Sequence, residues 1–71
     1  MHKFLRVKAT EDYGDYAKYE AAINVNNVTY AYSVAATNSR PAHTIVYFDA
    51  ENYIRVDMPF ASFMNLLGWY Q

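Results

Sequence analysis

The side chains that could carry acid–base or nucleophilic chemistry in this chain are Asp49, Glu51, Asp57, the tyrosines and a few Ser and Thr, with His2 and His43 as the two histidines. A nucleophile needs an adjacent base and a third group that orients the base, and no spacing here suggests such a set. A small sheet with one helix also leaves little room for a cavity that excludes water. No catalytic residue is assigned, and a non-enzymatic protein is expected. His43 could join Asp49 or Glu51 at a metal, yet the spacing matches no ligand pattern. Asp12 and Asp15 lack the D-x-D-x-D-G order of a calcium loop, and two glycines provide no Gly-rich phosphate cradle. Neither a metal nor a cofactor is expected.

Binding chemistry is better represented. Lys3 to Thr10 alternates, with Leu5, Val7 and Ala9 on one face and Phe4, Arg6 and Lys8 on the other. A hairpin around Ala50-Glu51 that pairs Phe48 with Tyr53, Tyr47 with Ile54, Val46 with Arg55 and Ile45 with Val56 adds Val46, Phe48, Tyr53 and Arg55 to that outer side. Phe4, Arg6, Val46, Phe48, Tyr53 and Arg55 then form a candidate partner-binding surface, because aromatic and Arg side chains concentrate interface energy. Closure of the chain into a small barrel, burying part of this set in a second minicore, is the competing reading. Aromatic rings mixed with Arg and Lys also suit single-stranded nucleic acid or a nucleotide, held by stacking and phosphate contact. A formal net charge of -1 supplies no global basic field for that alternative.

The elements that must position these residues read as follows. After the first strand, Glu11 to Tyr16 is acidic and contains Gly14, a loop tip; the three-residue spacing of Tyr13, Tyr16 and Tyr19 leaves a helix through Asp12 to Ala22 as an alternative. Tyr19, Ala21, Ile23 and Val25, then Asn26-Asn27, then Val28, Tyr30, Tyr32 and Val34 predict a hairpin with a two-residue Asn turn and one apolar face. Ala35 to Ala42 is a polar connection. His43–Asp49 and Asn52–Met58 form the second hairpin, with Ile45, Tyr47, Ile54 and Val56 inward. Phe60, Phe63, Met64 and Leu67 fall at i, i+3, i+4 and i+7, the stripe of a helix over 59–67, with Asp57 as cap and Gly68 as terminator. Trp69 and Tyr70 form a short tail. The expected fold is α+β in a single domain over 1–71: an antiparallel sheet of about five strands, two hairpins plus an N-terminal strand, with one short C-terminal helix on one face. Its expected core is Leu5, Val7, Ile23, Val25, Val28, Tyr30, Ile45, Tyr47, Ile54, Val56, Phe60, Phe63, Met64 and Leu67.

Eight Tyr, four Phe and one Trp in 71 residues exceed what one helix can cover on a small sheet. A domain this size buries barely enough surface to offset chain entropy. Without cysteine no disulfide can assist it, which leaves self-association as the available supplement. The expected partner is therefore a second copy, as a homodimer or larger assembly, or another protein. No apolar run approaches a membrane span, and no signal-type segment follows Met1; a cytoplasmic location is expected, with no membrane partner.

The segments Ala22-Ile23-Asn24-Val25-Asn26-Asn27-Val28-Thr29-Tyr30, Thr44-Ile45-Val46-Tyr47-Phe48 and Tyr53-Ile54-Arg55-Val56, with a helix from near Phe60, resemble the FlbD-like family of small flagellar-associated proteins. That family shares an I-N-x-x-x-I-x-x-I entry, an I-x-V strand and a short C-terminal helix. The second turn here, Ala50-Glu51-Asn52, replaces a position where the family tends to have Gly. The resemblance implies a small β-rich, non-enzymatic regulatory or accessory protein and carries no functional residue across. The same size and aromatic excess would suit a phage or mobile-element product that blocks a host protein.

Overall fold

A computed structural model describes residues 4–68; His2 and the Trp69–Tyr70 tail lie outside them. Five antiparallel strands are followed by one short helix: β1 (Phe4–Thr10), β2 (Lys18–Asn24), β3 (Tyr30–Val34), β4 (His43–Tyr47), β5 (Tyr53–Val56) and α1 (Phe60–Leu67), with a 3-10 turn over Val25–Asn27 between β2 and β3. The strands form a single sheet in the order β2-β1-β5-β4-β3. This is the expected α+β class, a five-stranded antiparallel sheet with one C-terminal helix.

The expected hairpin across Asn26-Asn27 does not form. β2 turns back along β1, with Ile23 opposite Leu5 and Ala21 opposite Val7, and β3 pairs instead with β4. The local reason is the capping of the 3-10 turn. The Asn24 side chain accepts a hydrogen bond from the Asn26 amide, and the Val28 amide donates to the Val25 carbonyl. These bonds shape an Asx-type turn instead of the reversal a two-residue hairpin requires.

β2 and β3 are consequently the two edges of the sheet although they are neighbours in sequence. Four strand spacings would separate the edges of a flat sheet by roughly 19 Å, more than a connection containing a 3-10 turn at about 2 Å per residue readily spans. The sheet rolls. Ile23 from one edge and Val28 and Ala31 from the other reach one apolar cluster with Val7, Val46, Val56 and Phe63. β1 meets β5 only at Ala9–Val56 and Thr10–Arg55. The chain then leaves the sheet, tied by the Asp57 amide to the Lys8 carbonyl at 2.7 Å, and α1 lays Phe63, fully buried, against the cluster.

Pro59 occupies the N-cap of α1, which has no side-chain cap. Asp57, expected to cap, pairs instead with Lys18 at 2.9 Å. Gly68 ends the helix as expected, in the left-handed region at φ 79°, with its amide turned back to the Asn65 and Met64 carbonyls. The acidic segment after β1 is a loop, with Gly14 and Tyr16 at positive φ, and not a helix.

The β4–β5 register also departs from expectation, by one residue. Tyr47 faces Tyr53, Val46 faces Ile54, Ile45 faces Arg55 and Thr44 faces Val56. The Asp49 carboxylate accepts from the Glu51 and Asn52 amides and from Asn52 Nδ2, while the Phe48 amide bonds to the Asn52 carbonyl, closing a three-residue loop over Asp49–Glu51. Because side chains alternate along a strand, a slip of one residue exchanges the faces. Val46 and Thr44 join the core side, and Tyr47 and Ile45 move to the other.

Candidate interaction face

The outer side of the sheet follows from these registers. Tyr30 on β3 lies opposite Tyr47 on β4, which lies opposite Tyr53 on β5, and Tyr32 sits two residues along from Tyr30 on the same side. The rings run in a row, with Tyr30, Tyr32 and Tyr47 stacked and Tyr53 tilted 30° against Tyr47. Centroids are 4.7 Å apart for Tyr30–Tyr47 with planes 5° from parallel, 5.1 Å for Tyr47–Tyr53, and 6.3 Å from Tyr32 to both Tyr30 and Tyr47. Tyr30 and Tyr32 remain 49% and 43% exposed. Four tyrosines from three strands thus form a continuous surface that ends at the β3 edge.

The other end of the row is fixed by a polar chain. The Tyr53 hydroxyl donates to Asp12 Oδ2 at 2.5 Å, and Arg55 Nε donates to Asp12 Oδ1 at 2.7 Å. Arg55 Nη1 lies 2.9 Å from His43 Nε2, whose Nδ1 is 3.0 Å from the Pro41 carbonyl. Arginine and a carbonyl have fixed roles, donor and acceptor. The imidazole therefore carries its proton on Nδ1, donates it to Pro41 and accepts from Arg55 at Nε2. The Tyr53 hydrogen bond, ahead of Arg55, holds the Asp12 carboxyl below the usual carboxylate range against the opposing effect of burial, and Asp12 in turn raises the Tyr53 phenol. Burial among the rings raises the Tyr47 phenol.

The candidate partner-binding residues divide. Phe4, 60% exposed, and Arg6 stand on the tyrosine side of the sheet, but near the start of β1, with Arg6 paired to Glu20 at 2.8 Å. Tyr53 and Arg55 belong to the row and its support. Val46 is fully buried on the opposite side, and Phe48 packs against the core; the three-residue loop accounts for both. Sequence reasoning missed Tyr30 and Tyr47, which it assigned to the core, together with Asp12 and His43. The signal that could have found the tyrosines is Asp49 at the start of a loop followed by Asn52, an Asx arrangement that favours a longer loop than Ala50-Glu51 alone.

Two further concavities flank the face. An apolar groove of about 280 Å³ runs between the start of β3 and α1, lined by Val28, Tyr30 and Ala31 on one side and Phe60, Met64 and Leu67 on the other, with Thr29 at its margin. A polar cleft of about 180 Å³ lies between the loops at 11–17 and 35–42. Lys18 pairs with Asp57 there, and Arg40 donates to Thr10 Oγ1 and the Glu11 carbonyl while lying 4.1 Å from the centre of the Tyr16 ring. Among the described residues no cluster of three His, Cys, Asp or Glu could hold a metal, and no helix is long and apolar enough to cross a membrane. No protein-family model, curated protein or solved structure matches the chain.

Proposed function

We propose that this chain is a small non-enzymatic binding domain whose working surface is the tyrosine row, and that the row engages protein, including a second copy of the chain. The observation that carries the reading is the row itself. Tyr32, Tyr30 and Tyr47 place three large rings side by side without a charged residue among them, and two of the three are nearly half exposed at a sheet edge. Tyrosine supplies wide contact area with few rotatable bonds and a hydroxyl at its rim, the property that enriches it at binding surfaces. The class agrees with the accessory protein that the FlbD-like resemblance implies.

Single-stranded nucleic acid is the weaker reading. Bases need open ring faces, whereas Tyr30 and Tyr47 turn theirs to each other. Two of the cations on that side are engaged as well, Arg55 by Asp12 and His43 and Arg6 by Glu20.

A photoreactive phenylalanine analogue at position 30, compared with the same analogue at Tyr13 on the loop tip, tests the assignment in cells that express the gene naturally. Position 30 is expected to give a discrete protein adduct that unlabelled chain competes away, and position 13 is not. Equal labelling at both positions, or adducts with nucleic acid alone, would overturn it.

A further inference from the structure

Resting on the tyrosine face as a protein-binding surface, we infer that two copies of the chain join through their β3 edges, antiparallel, about a two-fold axis at Tyr32. An edge strand presents unpaired backbone N–H and C=O groups, and proteins usually guard it with charge, proline or a bulge. The two edges here differ in that respect. β2 carries Lys18 and Glu20, each in an ion pair within the chain. β3 reads Tyr-Ala-Tyr-Ser-Val and has none of these guards.

The same strand is complementary to itself. A two-fold at Tyr32 pairs all five residues: Tyr30 with the partner's Val34, Ala31 with the partner's Ser33, and Tyr32 with the partner's Tyr32. No like charges meet, which is the usual obstacle to a symmetric contact. On one face the ring row continues across the axis into its symmetry mate. On the other, Ala31 and Ser33 meet small side chains and allow the backbones to pair closely.

The groove beside the edge supplies the second reason for a copy of this chain. Continued past Val34, the register runs the partner's Ala35 opposite Thr29 and the partner's Ala36 opposite Val28, over the apolar groove closed by Phe60, Met64 and Leu67. Ala35 and Ala36 are exposed in the single chain. The segment that follows the pairing strand is therefore uncharged, small and apolar where the groove requires it.

The chain has no cysteine, so one introduced thiol reports the axis directly. In the purified protein, Tyr32→Cys brings two Cβ atoms to about 4.5 to 5.5 Å across the two-fold, within reach of a disulfide after slight adjustment. Under mild oxidation at tens of micromolar, Tyr32→Cys is expected to become mostly disulfide-linked dimer while Tyr13→Cys stays largely monomeric. Equal rates for the two would overturn the proposal. Tyr32→Glu, which sets two carboxylates face to face, is expected to raise the dissociation constant of the dimer at least tenfold by sedimentation, with the circular dichroism of the sheet unchanged. A wild-type chain that sediments at 8.2 kDa up to millimolar concentration would overturn self-pairing. The tyrosine-face assignment would survive that result if position 30 still captured a different protein.

Discussion

Tyr30 and Tyr47 face each other across the β3–β4 pair with ring planes 5° from parallel, and this contact joins the edge strand to the middle of the sheet. Side chains directly opposite on neighbouring strands are the unit of sheet stabilisation. The ring pair therefore ties the tyrosine row to the fold itself.

A double-mutant cycle measures that tie. Tyr30→Ala and Tyr47→Ala, singly and together, are expected to show favourable coupling, with the paired rings raising the folding equilibrium constant about two- to tenfold beyond the sum of the single effects. Urea denaturation of the four proteins reads the coupling. Strictly additive effects would mean that the rings are neighbours without an energetic bond.

Phe63 is the side chain that α1 places within the buried cluster, with no exposed surface, while Met64 and Leu67 pack against the cluster from outside. Phe63→Ala is expected to cost about 3 to 5 kcal/mol, against a total of about 4 to 10 kcal/mol for a domain of this length. Thermal unfolding should drop by at least about 12 °C, or the variant should be unfolded at room temperature. Leu66, 44% exposed on the same helix, is the control: Leu66→Ala should shift stability by about 0.5 kcal/mol or less. A Phe63→Ala protein that melts within a few degrees of the parent would contradict the packing described.

The fold class was legible in the sequence because strand alternation and the Phe60, Phe63, Met64, Leu67 stripe are strong periodic signals. β1 was legible residue by residue, as was the glycine that ends α1. Pairing was not. Tyr19, Ala21, Ile23 and Val25 are as suitable opposite β1 as opposite β3, and the alternation within a strand does not say which neighbour it takes. The second hairpin forms, but its register was not legible, for a related reason: Ile45-Val46-Tyr47-Phe48 is apolar at every position, so either face can be the inner one, and the loop decides. Asp49 decided it through three hydrogen bonds to the following residues. The tyrosines added to the ambiguity, since a ring with a hydroxyl suits a core or a wet surface equally.

That account makes the loop a point of control. Asp49→Ala removes the acceptor that holds the Glu51 and Asn52 amides and should loosen the β4–β5 turn without touching the core. Amide exchange at Glu51 and Asn52 is expected to quicken by an order of magnitude or more, while Val46 and Val56 remain protected. Unchanged exchange at the turn would remove Asp49 as the cause of the register.

Gly68 tests the end of α1 by backbone geometry alone. A Cβ at this position would meet nothing within 4 Å, but the residue sits at φ +79°. Gly68→Ala therefore carries the left-handed penalty of about 1 kcal/mol and no steric clash. Chemical denaturation should register a loss of that size, and a gain in stability would show that the helix can end in another conformation.

Asp12 gives the pH dependence a definite sign. Its carboxyl is held below the ordinary aspartate range, first by the Tyr53 hydroxyl and then by Arg55, with Arg40 adding a smaller attraction, while burial acts in the opposite direction. A group whose pKa is depressed on folding contributes stability that is present above its unfolded value and is lost as pH falls through the folded value. Wild-type stability should therefore decline below about pH 4, the unfolded aspartate range, and part of that decline belongs to Asp12. Asp12→Asn keeps an acceptor for Tyr53 and Arg55 but removes the charge. The variant is expected to be less stable than the parent at neutral pH and to lose less on acidification, so that the two curves of stability against pH draw together toward pH 2. Other carboxylates, including Asp49, titrate in both proteins and cancel in the difference. Parallel curves from pH 7 to pH 2 would show that the Tyr53–Asp12–Arg55 chain makes no charge-dependent contribution to the folded state.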